Sequence, residues 1–229
     1  MSGYYTEKLA GERLRALYES APVRIRQYLE AEIRHVAALL SPRDEVLELG
    51  CGYGRVMREI APFCDTVVGI DTSLDSLKLG RHYLNRCNNC YLCLMNAVNS
   101  GFAGNTFDLV LCIQNGISAF HVDQVSLVRE ALRVTKAGGM TVFSTYAEEF
   151  WDERLRWFEQ QAKDGFIGPI DYTRTGNGRI VCTDQFTATT VSAAEFNSLA
   201  DLTGAEAGSY VVDGSSLFCK MRPQNLSGR

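Results

Sequence analysis

Val46-Leu47-Glu48-Leu49-Gly50-Cys51-Gly52-Tyr53-Gly54 is the stretch of this 229-residue chain whose reading decides the fold. Glu45 to Leu49 reads as a short strand, the three glycines as a tight turn, and Val56, Met57 and Ile60 as the buried stripe of a helix. A strand that ends in a glycine turn and opens a helix suits a nucleotide-like ligand. Glycine lets the ligand approach the backbone, and the helix start offers unpaired N–H groups. Spacing then discriminates. A dinucleotide fold uses G-x-G-x-x-G, and Arg55 stands where its third glycine belongs, which weakens the pyrophosphate reading and with it an NAD-dependent oxidoreductase.

Working outward, the same alternation repeats. Thr66-Val67-Val68-Gly69-Ile70 reads as a strand, Leu74 to Leu84 as a helix, Tyr91 to Met95 as a strand, Phe107 to Ile113 as a strong strand and Val125 to Val134 as a helix. Gly138-Gly139 reads as a turn into the strand Met140 to Thr145. Strands alternating with helices predict a mostly parallel sheet covered on both faces. Upstream, Thr6 to about Leu40 is helical, with Ile25, Tyr28, Leu29, Ile33 and Val36 on one stripe and Pro22 between two helices. Downstream of Tyr146 the alternation stops. Glu149 to Ala162 reads as an amphipathic helix, Ile170 to Phe186 as a hairpin around Thr175-Gly176-Asn177-Gly178, and Ala193 to Leu202 as a helix before strands near Tyr210 to Val212 and Leu217 to Met221.

The bulk numbers narrow the function. A chain of this length buries roughly 70 to 75% of its unfolded surface, enough for one good core. Hydrophobic residues are 46% and charged residues 22%, ordinary for a globular protein. A net charge of −4 and the lack of any run of five Lys or Arg disfavour nucleic acid as a partner. No apolar stretch reads as a secretion signal or a membrane span, so a cytoplasmic protein without a membrane partner is expected. The eight cysteines, scattered through core strands, are expected as reduced thiols.

The residues Glu48 to Gly54 resemble the first motif of class I S-adenosylmethionine-dependent methyltransferases, an acidic residue followed by G-x-G-x-G. The second element agrees: Asp71, seventeen residues past Gly54, ends the next strand where that family binds both ribose hydroxyls, a task a carboxylate performs with two acceptor oxygens. A helix-capping role for Asp71, before Thr72-Ser73, stands beside it. Asn96-Ala97 matches the place where the family has Asp-Ala against the adenine, with an amide replacing the acid. Phe107 to Asn115 is similar to the family's central strand, whose end lies beside the transferable methyl. The resemblance implies S-adenosyl-L-methionine as cofactor, held by Glu48, Gly50, Cys51, Gly52, Tyr53, Gly54, Asp71, Thr72, Asn96, Ala97 and Gln114. It implies an α/β, Rossmann-like doubly wound sheet, mostly parallel with an antiparallel last strand.

Gln114-Asn115-Gly116-Ile117-Ser118-Ala119-Phe120-His121 lacks the Asn/Asp-Pro-Pro-aromatic and Pro-Cys patterns with which relatives methylate bases, glutamine or pyrimidine carbon. Their absence favours a small-molecule acceptor or a protein side chain. His121 is the candidate general base, because imidazole exchanges protons near neutrality, with a solvated or capping histidine as the alternative. Tyr4 and Tyr5 resemble the aromatic N-terminal lids of small-molecule methyltransferases and, with Asn115, are candidates for the acceptor side; surface packing is the alternative for the tyrosines. Phe150, Trp151, Trp157, Phe158 and Tyr172 are candidates for an aromatic wall. Cys87, Cys90 and Cys93 have the spacing of a metal site, but on a strand Cys90 and Cys93 point to opposite faces, so no metal is expected.

The expected organisation is one domain over 1–229: a helical cap at 1–40, a cofactor-binding core at 43–146, an acceptor-side insertion of helix plus hairpin at 147–190, and a closing helix and strands at 191–221. A non-catalytic S-adenosylmethionine-binding protein shares all these features. The oligomeric state is not legible.

Overall fold

Both faces of strand β1 (Glu45–Leu49) are covered. Val46 packs with the apolar cluster on one side of the sheet, Leu47 and Leu49 with the cluster on the other. A continuous apolar run is therefore what a central parallel strand requires. The computed structural model, which describes residue 4 and residues 8–223, pairs β1 in parallel with β2 (Thr66–Asp71) on one edge and β4 (Phe107–Cys112) on the other. Beyond them lie β3 (Cys90–Leu94) and β5 (Thr135–Tyr146), also parallel. Then come β9 (Ser216–Pro223) and β8 (Ala205–Val212), both in antiparallel pairing, giving the order β3-β2-β1-β4-β5-β9-β8.

Helices cover each face. The end of α2 (Val23–Ala37), α3 (Arg55–Ile60) and α4 (Leu74–Tyr83) lie over one, through Val36, Met57 and Leu77. The other is covered by the short α5 (Gly116–Ala119), α6 (Gln124–Val134) and α8 (Ala193–Thr203), through Ile117, Val128 and Phe196. Helix starts carry the caps their sequences offer: Ser73 Oγ accepts from Ser76 N–H at 3.2 Å and Asp123 from Ser126 N–H at 2.7 Å. Ser192 and Glu195 close a reciprocal capping box on α8.

A third apolar cluster stands apart from the sheet. Leu9, Leu17 of α1 (Glu12–Glu19), and Ile25 and Tyr28 of α2 pack against Phe150, Trp157 and Phe158, the last two on α7 (Trp151–Lys163), and against Ile180 and Phe186. The two segments outside the alternating core thus meet each other.

Two local readings change. Gly138-Gly139 does not precede β5 but lies inside it: Thr135 pairs with Phe107 and Met140 with Leu109, so residues 136–139 bulge out. Asn177-Gly178 does turn tightly, with Gly176 and Arg179 exchanging backbone bonds of 2.8 and 3.0 Å, yet the ladder continues only as a bridge between Ile170 and Cys182. The paired strands are β6 (Ile180–Val181) and β7 (Thr187–Ala188), because Asp184 turns the chain again by accepting from Phe186 and Gly168 N–H groups. Strand β3 puts Cys93 against one core, while Cys87 and Cys90 pack on the other. All eight cysteines are free thiols.

Candidate active site

The chain runs outward from β1 to β3, then returns to β4 on the other side of β1. At such a reversal the loops leaving the two strands diverge and open a crevice at the carboxyl end of the sheet. The glycine turn, Asp71 and Gln114 all lie there. Gly50 and Cys51 N–H groups both donate to Ile70 C=O, at 2.8 and 3.0 Å, tying the turn to β2. Gly50 has φ 74°, and an added Cβ would come 2.4 Å from the Phe120 ring, so conformation and close approach both require glycine there.

Asp71 is not the cap of α4, a place that Ser73 takes. Its Oδ1 accepts from Ser73 N–H at 2.7 Å, ahead of α4, and Oδ2 accepts from Gly52 N–H at 2.9 Å, which braces the glycine turn. Burial raises its pKa, against those hydrogen bonds. The Thr72 N–H also bonds the carboxylate, which lines the cavity with part of its acceptor capacity left.

Glu48, at the end of β1, is only 5% exposed. Burial pushes its carboxyl up to about 8, opposed by the Arg55 cation, and its Oε2 has no hydrogen-bond partner among the described residues. A buried oxygen without a partner beside a cavity is a place for a ligand's donor. Arg55, at the start of α3, donates to Gln114 Oε1 and lies 4.4 Å over the Tyr18 ring. Arg55 and Tyr18 line the cavity, and neither was singled out for binding from sequence.

Gln114 and Asn115 follow β4 with φ 56° and 66°, two consecutive non-glycine residues in the left-handed region. What holds them is Glu32 of α2, fully buried. Its Oε2 accepts from Gln114 N–H and Ser144 Oγ–H, both at 2.8 Å, and its Oε1 from Ser216 Oγ–H at 2.7 Å. Burial raises this carboxyl to about 7 despite those bonds. The sequence does signal Glu32: it is an acid on the apolar stripe of Tyr28, Leu29 and Val36. Asn115 is engaged at both ends of its side chain, donating to Thr189 C=O at 3.0 Å and accepting from Thr145 Oγ1 at 2.7 Å.

One cavity of about 510 Å³ joins these groups. Of the expected cofactor residues, Glu48, Gly50, Cys51, Gly52, Tyr53, Asp71, Thr72, Asn96, Ala97 and Gln114 line it, and Gly54 does not. Asn96 Oδ1 accepts from Val98 N–H at 3.0 Å. The lining also includes Leu14 and Tyr18, which lie beside Gly52 and Tyr53, and Leu17, Tyr146, Trp157, Phe158 and Gln161. Trp157 and Phe158 therefore belong to the expected wall, whereas Phe150 and Trp151 do not reach the cavity and Tyr172 is exposed. His121 is exposed and outside the lining, although its neighbours Phe120 and Val122 are part of it. Tyr4 is not brought to the cavity: its hydroxyl donates to Asp184 at 2.7 Å and its ring meets Phe186 edge-on at 4.8 Å. Tyr5 lies outside the described residues.

The residues fit S-adenosylmethionine. An acceptor oxygen without a partner on Glu48, a carboxylate with acceptor capacity left on Asp71, and a glycine turn with no room for a side chain line one crevice. Comparison with known proteins agrees. Residues 46–139 match the model of a methyltransferase domain. A demethylmenaquinone methyltransferase of Corynebacterium kroppenstedtii is 39% identical over 107 residues, which is 45% of this chain and 44% of that protein, so the chain spans less than half the length of this curated relative. The PH0226 protein of Pyrococcus horikoshii superposes with a TM-score of 0.67 at 21% identity over 89% of this chain and 92% of that one. DhpI, solved as a complex with S-adenosylhomocysteine, gives 0.62 at 17% identity over 93% of each. The acidic G-x-G-x-G turn, the order of the strands and the matching domain model agree, and residues 46–139 form a methyltransferase domain of the S-adenosylmethionine-dependent, Rossmann-like kind.

Proposed function

We propose that this chain transfers the methyl group of S-adenosylmethionine to a small molecule, and that the acceptor lies between Gln114 and the aromatic wall of α7. The observation that carries the reading is the continuity of the cavity. The residues suited to the cofactor and the side chains Tyr18, Tyr146, Trp157 and Phe158 line one space, roofed by the cluster that joins the N-terminal helices to the insertion. In this reading Asp71 accepts from the ribose hydroxyls, Glu48 from the cofactor's amino group, and Asn96 with Ala97 meets the adenine. Eight free cysteines suit the reducing cytoplasm.

The cofactor supplies an electrophilic methyl on a good leaving group. What remains for the protein is to orient and to exclude water, and orientation of two reactants lowers a barrier by roughly 7 to 11 kcal/mol. The apolar wall and the rigidly held Gln114 serve that task. No histidine or lysine is among the residues that line the cavity, so general-base catalysis by His121 forms no part of the proposal. The curated relative's match covers too little of either chain to bring its acceptor here.

Thermal unfolding with S-adenosylmethionine, S-adenosylhomocysteine or NAD tests the reading. Ligand at a hundred times its Kd adds about 2.7 kcal/mol, which raises the midpoint by roughly 5 to 10 °C at this size. The first two are expected to shift it and NAD to leave it unchanged; a shift with NAD alone, or none, refutes the proposal.

A further inference from the structure

We propose that the side-chain amide of Gln161 recognises the acceptor, and that the acceptor is an uncharged, ring-bearing small molecule with a hydroxyl, carbonyl or amide group. The inference rests on the reading of this cavity as the methyl-transfer site.

Helix α7 buries Arg154, Trp157, Phe158 and Gln161, the i, i+3, i+4, i+7 stripe of its inner face. Three of these have a structural task. Arg154 donates to Gly178 C=O at 2.7 Å and Thr189 C=O at 3.3 Å, and Trp157 and Phe158 belong to the third apolar cluster. Gln161 is different. It is 4% exposed and lines the cavity, and its side-chain amide makes no hydrogen bond to any described residue. Its neighbour Gln160, on the outer face, donates to Asp164 at 2.8 and 2.9 Å. The amide is not sealed in the core: its atoms open onto the cavity, where they are left available to a group that enters it.

The surroundings define that partner. An amide offers donors and an acceptor and no charge, so it pairs with a hydroxyl, a carbonyl or another amide. The adjoining side chains of the same helix face, Trp157 and Phe158, present rings. The carboxylates that line the cavity, Glu48 and Asp71, lie at the strand ends, and its one lining cation among the described residues, Arg55, is engaged by Gln114 and Tyr18. An ionised group beside Gln161 would therefore be desolvated without a counter-charge.

Equilibrium dialysis of the full chain, saturated with S-adenosylhomocysteine, tests this with naphthalene, 1-naphthol and 1-naphthoate as probes. 1-Naphthol is expected to bind about 2- to 10-fold more tightly than naphthalene, the worth of one neutral hydrogen bond, and 1-naphthoate more weakly than either. Gln161→Met should abolish the preference for 1-naphthol while leaving naphthalene and S-adenosylhomocysteine binding unchanged. Equal binding of 1-naphthol and naphthalene to the unaltered chain overturns the proposal, whether or not the variant folds. Tightest binding of 1-naphthoate also overturns it and moves recognition to Arg55. If S-adenosylhomocysteine binds and no probe does, the subsite is wrong and the methyltransferase reading stands. If S-adenosylhomocysteine itself fails to bind, that reading falls and this one with it.

Discussion

Glu32 Oε2 receives the backbone N–H of Gln114 at 2.8 Å, across 82 positions of sequence. The bond fastens α2 to the end of the central strand and holds Gln114 in a left-handed conformation that a glutamine does not favour. Ser144 and Ser216 complete the arrangement from β5 and β9. Glu32→Ala leaves buried donors with fewer partners and should cost roughly 2 to 4 kcal/mol in urea unfolding. Glu32→Gln, which keeps one acceptor oxygen, should cost less.

The same carboxyl makes stability depend on pH in an unusual direction. Its folded pKa, about 7, and that of Glu48, about 8, lie above the ordinary 4.5. Between 4.5 and those values the unfolded chain has released protons that the folded chain retains. Stability contributed by these two groups is therefore full at acid pH, falls as pH rises through the window, and is flat beyond it. Unfolding measured from pH 5 to 8 should show this decline. Glu32→Gln and Glu48→Gln should each remove roughly 1 to 3 kcal/mol of it, and an unchanged slope would refute the assignment.

Asp71 braces the glycine turn and, in the proposed function, holds the ribose. Asp71→Ala should weaken S-adenosylhomocysteine binding by about 10- to 150-fold, the scale of a hydrogen bond to a charged group. Calorimetric titration is the check, and unaltered affinity would leave Asp71 only its part in bracing the glycine turn.

The core and the cofactor side were legible because their signals are local. A glycine turn shows as spacing, a buried strand as an apolar run, and Asp71 by its place at a strand end. Glu32 was not found, although an acid on an apolar stripe was in view, because its partners come from residues 114, 144 and 216. Gln161 reads as an ordinary polar helix residue until the helix face is known. His121 looked suitable by type and position, but the short turn of α5 leaves it exposed while Phe120 faces the glycine turn.

The Phe120 ring and Gly50 are in such close contact that a double-mutant cycle can separate two effects. Gly50→Ala suffers a clash with the ring, its Cβ falling 2.4 Å away, and also a left-handed φ of 74°. The conformational part costs about 1 to 2 kcal/mol. Gly50→Ala with Phe120→Ala should recover the clash and retain the conformational cost, so the two changes should be markedly non-additive in urea unfolding. Additivity would mean that the ring yields freely.

The hydroxyl of Ser216 that reaches Glu32 arrives late. The two residues are 184 positions apart, and at bacterial-to-eukaryotic elongation rates of about 5 to 20 residues per second the ribosome needs roughly 10 to 40 s to make the second after the first. Throughout that interval a carboxyl destined for full burial lacks part of its hydration substitute, and the helix that bears it has no complete seat. Glu32 therefore has its partners on β4 and β5 well before the one on β9, and the last hydroxyl completes a seat already partly built.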